Sequence, residues 1–98
     1  MVNSVMLIGI LNEPKEAIRY NKTQVTLTLH VVERSLGKTT EAYFPCVATD
    51  RPAELMAGRI EKGKKIAIEG RLRNRTAKSE NGDRYQQTYI EITDFVLI

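Results

Sequence analysis

The chain has 98 residues, 42% hydrophobic and 28% charged, with a formal net charge of +3. That length holds one domain and no second. A single cysteine, Cys46, and a single histidine, His30, exclude an intrachain disulfide framework and multi-cysteine metal sites, and no apolar run is long enough for a membrane helix.

The opening Met1-Val2-Asn3-Ser4 has no basic segment and no cleavage site, so no secretory signal is expected. The lone thiol suits a reducing, cytoplasmic compartment. An apolar run around Val5, Leu7 and Ile8 predicts a buried first strand over Asn3–Leu11, broken by Asn12-Glu13-Pro14-Lys15-Glu16. Val25, Leu27, Leu29 and Val31 alternate with Thr26, Thr28 and His30, which predicts a second strand over Gln24–Glu33. Ser35 to Thr40 reads as a loop. Glu41–Thr49 reads as a third strand, with Pro45 marking an edge or a bulge.

Asp50, Pro52 and Glu54 are residues of a helix start, with Asp50 as the cap. They predict a helix over Arg51–Ile60, with Ala53, Leu55, Met56, Ala57 and Ile60 as its apolar face and Lys62-Gly63 as its stop. Lys65–Lys78 alternates around Ile66, Ile68, Gly70 and Leu72. Asn81-Gly82 marks a hairpin, and Tyr85–Ile98 alternates again. The order β-β-β-α-β-β is that of an all-β, five-stranded Greek-key OB-fold barrel, the oligonucleotide-binding architecture, filling residues 1–98 as one domain. An SH3-like barrel and an irregular α+β sheet are the alternatives.

Charge is unevenly spread. Nine basic and four acidic side chains lie between Arg59 and Arg84, and the rest of the chain is slightly acidic. A localised basic stripe is the footprint of a polyanion binder, although Lys and Arg also keep exposed strands soluble. Arg71, Arg73 and Arg75 stand two residues apart on one strand face, about 7 Å from one to the next. Three like charges so close together need a reason to persist, and phosphate contact supplies one. On the third strand Tyr43 shares a face with Pro45, Val47 and Thr49, and is the expected base-stacking residue. Phe44, Cys46 and Ala48 share the other face, as core or subunit contact. Arg19, Lys22, Lys38, Lys78 and Arg84 lie where hairpin loops fence a groove. Tyr85 and Tyr89 are further stacking candidates that are equally well placed as packed barrel residues. His30 reads as a surface or interface residue. The pairs Glu13/Glu16 and Glu91/Asp94 lack a third ligand, so no catalytic residue, metal or cofactor is expected.

Several segments together resemble the bacterial single-stranded DNA-binding protein family. Val2-Asn3-Ser4-Val5-Met6-Leu7-Ile8-Gly9 resembles its opening strand, and Pro14 with Ile18-Arg19-Tyr20 resembles its "P-E-x-R-Y" segment. Lys62 to Arg75 follows its "K-G-x-x-V-x-V-E-G-x-L-x-x-R". The resemblance implies an OB-fold homodimer or homotetramer that coats single-stranded DNA in replication, repair or recombination, in the cytoplasm, on the nucleoid or in an organelle. Replication or primosome proteins are implied as further partners. Ser35, Thr49 and Ala77 stand where family members carry stacking aromatics, and the family's acidic tail has no counterpart in these residues. In architecture the chain is similar to the short subgroup that includes primosomal replication protein N. A weaker binder that leans on charge, or an interaction protein with secondary nucleic-acid binding, is therefore expected.

Overall fold

In a computed structural model that describes residues 1–98, five strands and one helix follow in chain order: β1 Val5–Arg19, β2 Lys22–Ser35, β3 Lys38–Thr49, α1 Asp50–Met56, β4 Lys65–Lys78 and β5 Arg84–Leu97. The strands close into a barrel in the order β1-β2-β3-β5-β4. Only the β3–β5 contact is parallel, over Cys46↔Ile90 and Val47↔Glu91. This is the OB-fold expected from the element order.

Alternation explains the interior. Val25, Leu27, Leu29 and Val31 of β2 face inward with Cys46 and Ala48 of β3, Ile66 and Ile68 of β4, and Ile90 and Ile92 of β5. Helix α1 contributes Ala53 and Met56, both fully buried. Leu55, expected on the helix's apolar face, is 39% exposed. The helix also stops earlier than Lys62-Gly63. Gly58 takes a positive φ of 78°, and its amide donates to the Glu16 carboxylate at 2.7 Å. Its N-cap is Thr49 rather than Asp50, with no side-chain cap bond.

Other strand boundaries move for local reasons. The expected break at Asn12–Glu16 is a bulge inside one long β1, where the register shifts between Asn12 and Lys15 and Glu13 takes φ 49°. Tyr20-Asn21 and Leu36-Gly37 each have positive φ at both residues and link directly paired ends, Arg19↔Lys22 and Ser35↔Lys38. Both are two-residue turns of the primed kind, so the expected loop at Ser35–Thr40 shrinks to a turn. The β4–β5 hairpin closes over Ser79 to Asp83, with the Ser79 amide donating to the Asp83 carbonyl at 2.8 Å. Pro45 sits opposite Thr28, one residue before the short ladder to β5 begins, which matches its reading as an edge residue.

Each of three hairpins runs on past the barrel as a two-stranded arm. The β4–β5 arm leaves at Gly70. There Thr93 is the extra residue of a bulge, because Glu69 faces Asp94 while Gly70 faces Ile92. The Thr93 hydroxyl donates to the Glu69 carbonyl at 3.1 Å. A Cβ on Gly70 would lie 2.2 Å from the Glu91 carbonyl oxygen. Just beyond, the Asn3 side chain stands in for a strand partner. Its Oδ1 accepts from the Leu72 amide at 2.8 Å, and its Nδ2 donates to the Leu72 carbonyl at 2.9 Å.

Candidate nucleic-acid interface

The outer face of the barrel is continuous across all five strands. One row reads Lys15, Thr26, Val47, Glu91, Arg71, each residue opposite the next. To one side of that row β4 carries Arg73 and Arg75, and β5 carries Tyr89, Gln87 and Tyr85 opposite Arg73, Arg75 and Ala77. On the same side β2 and β3 carry Thr28 and Pro45, then His30 and Tyr43. Arg75 reaches this β2–β3 surface, lining a cavity of about 150 Å³ with Lys15, Thr26, Thr28, Pro45 and Val47.

Arg75 is held by neutral groups. Its Nε donates to Gln87 Oε1 at 2.9 Å, and its guanidinium carbon lies 5.1 Å from the centre of the Tyr89 ring. Arg71 and Arg73 are not the unpaired cations that their spacing suggests. Glu91 lies between them, with Oε1 3.7 Å from Arg71 Nε and Oε2 3.4 Å from Arg73 Nε. Repulsion along the row is thus relieved inside the chain, and phosphate is not needed to explain why the row persists.

Tyr43 is 56% exposed and lies flat on His30, with ring centroids 4.6 Å apart and planes 2° from parallel. One ring face is therefore covered by the imidazole and the other is free. His30 Nε2 lies 3.5 Å from Glu41 Oε1.

The remaining sites fall on arms and tips. Arg19 and Lys22 pair at the β1–β2 tip, on the far side of the Thr26–Val47 row from Tyr43. They line a cavity of about 380 Å³ with Tyr20, Gln24 and Thr49, and Lys22 Nζ is 3.8 Å from Asp50. Lys38 is at the β2–β3 tip, where alternation puts it with Ser35 on the arm's other face. Lys78 and Arg84 face one another at the end of the β4–β5 arm. Alternation places both opposite in sense to Arg71, Arg73 and Arg75, while Tyr85 shares the arginines' face. The structure thus gathers Arg71, Arg73, Arg75, Tyr43 and Tyr85 along one surface, and leaves Lys38, Lys78 and Arg84 on the reverse of their arms.

Three participants escaped the sequence. Lys15 was hidden in a supposed break, although Lys15, Ala17 and Arg19 do alternate. Glu91 showed only as half of a rejected acidic pair. His30 pairs with Tyr43 through cross-strand register, which the sequence does not contain.

Cys46 lies inside the barrel, and burial pushes its thiol up to about 12, with a backbone hydrogen bond from Leu29 pulling the other way. It is core, and so is unavailable as a subunit contact. Phe44 likewise packs against the core. No group of three or more His, Cys, Asp or Glu residues is arranged to hold a metal ion, and no helix is long and apolar enough to cross a membrane.

A closed five-stranded barrel with one short helix between its third and fourth strands defines an OB-fold protein, here with arginines and an exposed tyrosine on its outer face. The model of the single-strand binding protein family matches residues 2–98, and the chain belongs to that family. It is 32% identical over a 104-residue alignment to single-stranded DNA-binding protein 2 of Streptococcus pyogenes, covering 100% of this chain and 63% of that one. It is 30% identical over 105 residues to the single-stranded DNA-binding protein of Enterococcus faecalis, covering 100% and 55%. The chain thus spans under two thirds of the length of these relatives. Among solved structures, a Plasmodium falciparum single-strand binding protein in complex with single-stranded DNA superposes with a TM-score of 0.85 at 24% identity, covering 100% of this chain and 96% of that one.

Proposed function

We propose that this chain is a non-catalytic protein that binds single-stranded DNA with little base preference, in replication, repair or recombination. The observation that carries this reading is the meeting of Arg75 with the β2–β3 face. It joins a row of three guanidiniums to a surface bearing an exposed, pre-stacked tyrosine. Arg71, Arg73 and Arg75 track the phosphates, and Tyr43 stacks a base on its free face. Lys15, Arg19 and Lys22 extend the track across the barrel, while Lys38, Lys78 and Arg84 meet a strand only where it wraps around an arm. A homodimer or homotetramer would double this surface. The cytoplasm, on the nucleoid, or an organelle is the matching location.

A second reading is an accessory protein of a replisome or primosome whose DNA contacts are secondary. Two features favour it: Glu91 already occupies two arginines, and Ser35, Thr49 and Ala77 leave stacking positions without rings. Fluorescence anisotropy with labelled poly-dT and a duplex of equal length, at two salt concentrations, separates the two. Salt-sensitive binding that prefers the single strand is expected, with a slope near −0.7 per phosphate neutralised. No single-strand binding at low salt would overturn the first reading in favour of the second.

A further inference from the structure

Glu91 is the one carboxylate on the outer face of the β4–β5 arm between the Arg71 row and the tip. It sits where three strands run side by side, opposite Val47 on β3 and Arg71 on β4. Each of its oxygens serves a different arginine, at 3.7 and 3.4 Å. Charge-assisted hydrogen bonds are shorter than this, at about 2.7–2.9 Å, so the carboxylate is held by charge and not by tight bonding. Its side chain is 35% exposed, which leaves it free to swing toward solvent. A phosphodiester has the same equipment: one negative charge, spread over two oxygens, able to span two guanidiniums. Arg75 shares its cavity with Glu13 but pairs with no carboxylate, and is held by Gln87 and Tyr89.

We propose that Glu91 is an internal stand-in for a backbone phosphate, holding Arg71 and Arg73 until an incoming strand displaces it, and so setting the affinity and the salt dependence of the site. The proposal rests on the single-strand reading above and deepens it. In the free protein Glu91 offsets the repulsion between two neighbouring cations. On binding, one phosphate replaces one carboxylate, so the strand gives up fewer counterions to this pair than it would to two bare cations. The arm therefore divides into an occupied half at Arg71 and Arg73 and an open half at Arg75.

The test is a salt series of anisotropy titrations with labelled oligo-dT on the wild type, Glu91→Gln and Asp94→Asn. Asp94 lies on the same outer face beyond the Thr93 bulge, opposite Glu69, and serves as the control for charge alone. Glu91→Gln is expected to bind about tenfold tighter at low salt. Its slope should be steeper by about 0.7, the value for one more phosphate neutralised. Asp94→Asn should change affinity less than twofold at an unchanged slope. Equal gains in both variants with parallel slopes, or no gain in Glu91→Gln, would overturn the proposal. Tripolyphosphate, followed by NMR at the Arg71 and Arg73 Nε–H signals, separates the two claims. If oligo-dT binds no variant but tripolyphosphate seats on these arginines more tightly in Glu91→Gln, Glu91 still stands in for phosphate, and it is the single-strand reading that falls. If tripolyphosphate also leaves both signals unmoved, both fall. Melting temperatures of the three proteins confirm that exposed substitutions leave the fold intact.

Discussion

The two halves of β4 lie in different surroundings. From Lys65 to Gly70 the strand is barrel wall, with Ile66 and Ile68 buried and β1 and β5 on its two edges. From Arg71 to Lys78 it is one side of an arm with almost no buried residue. Fourteen residues of unbroken strand thus do two jobs, and the boundary is Gly70, where the neighbouring backbone comes too close for a side chain. Burial lies below that glycine, and the side chains proposed to meet a strand lie above it. Low local stability and exposed backbone are the usual properties of a surface that meets a ligand.

Substitutions on the two sides should therefore separate stability from binding. The largest effect is expected from Ile68→Ala, which removes a fully buried side chain and should cost about 3–4 kcal/mol in denaturant unfolding, with poly-dT affinity of the remaining folded protein unchanged. Gly70→Ala at the boundary should cost about 2–3 kcal/mol, because the new Cβ meets backbone that cannot rotate away. It should also disturb binding by re-aiming the arm, and a variant that melts like the wild type would remove Gly70 as the boundary.

Inside the wall, Cys46 adds a pH signature. Its thiol is held neutral up to about 12 in the folded protein, above the ordinary value of 9.0. The unfolded chain then loses this proton first. Stability from this group is complete below pH 9 and falls between pH 9 and 12, by at most about 1.4 kcal/mol per pH unit. Cys46→Ala should flatten that fall, and native Cys46 should resist iodoacetamide at pH 8.5 until denaturant is added.

On the binding surface, Tyr43→Ala should weaken poly-dT binding by about 1–2 kcal/mol while shifting stability by less. His30→Ala should give a smaller loss in the same direction, since it removes the ring on which Tyr43 lies. Arg73→Ala should reduce affinity severalfold and lower the salt slope by about 0.7, with unfolding changed by under 0.5 kcal/mol. A large loss of stability from Arg73→Ala would mean that the arm is structural after all.

The wall was easier to read from the sequence than the arms. Period-two alternation in Val25–Val31 and Ile66–Ile68 gave both the strands and the inward residues, because burial on one face imposes that pattern. Arm residues obey no such pattern, so β1 beyond Asn12 read as a break and Ser35–Thr40 as a loop. The helix is shorter than its apolar face suggests because Gly58, left-handed just past the cap, ends it before Lys62-Gly63, and the Glu16 carboxylate accepts the Gly58 amide. The site was legible as residue types but not as pairings. Arg71, Arg73 and Arg75 stand out as a row, yet Glu91 lies sixteen or more residues further on, brought opposite Arg71 by the hairpin register that runs unshifted from Lys78↔Arg84 to Gly70↔Ile92.

The arm's simplicity has one more consequence. Because β4 and β5 pair only with each other above Leu72, the arm's length is free of the barrel's geometry. Two residues added to each strand would lengthen it by about 7 Å and keep the arginines facing outward. One residue added to each would turn every side chain beyond the insertion to the opposite face. Reach around a bound strand can therefore change in steps of two, and parity decides which insertions keep the row intact.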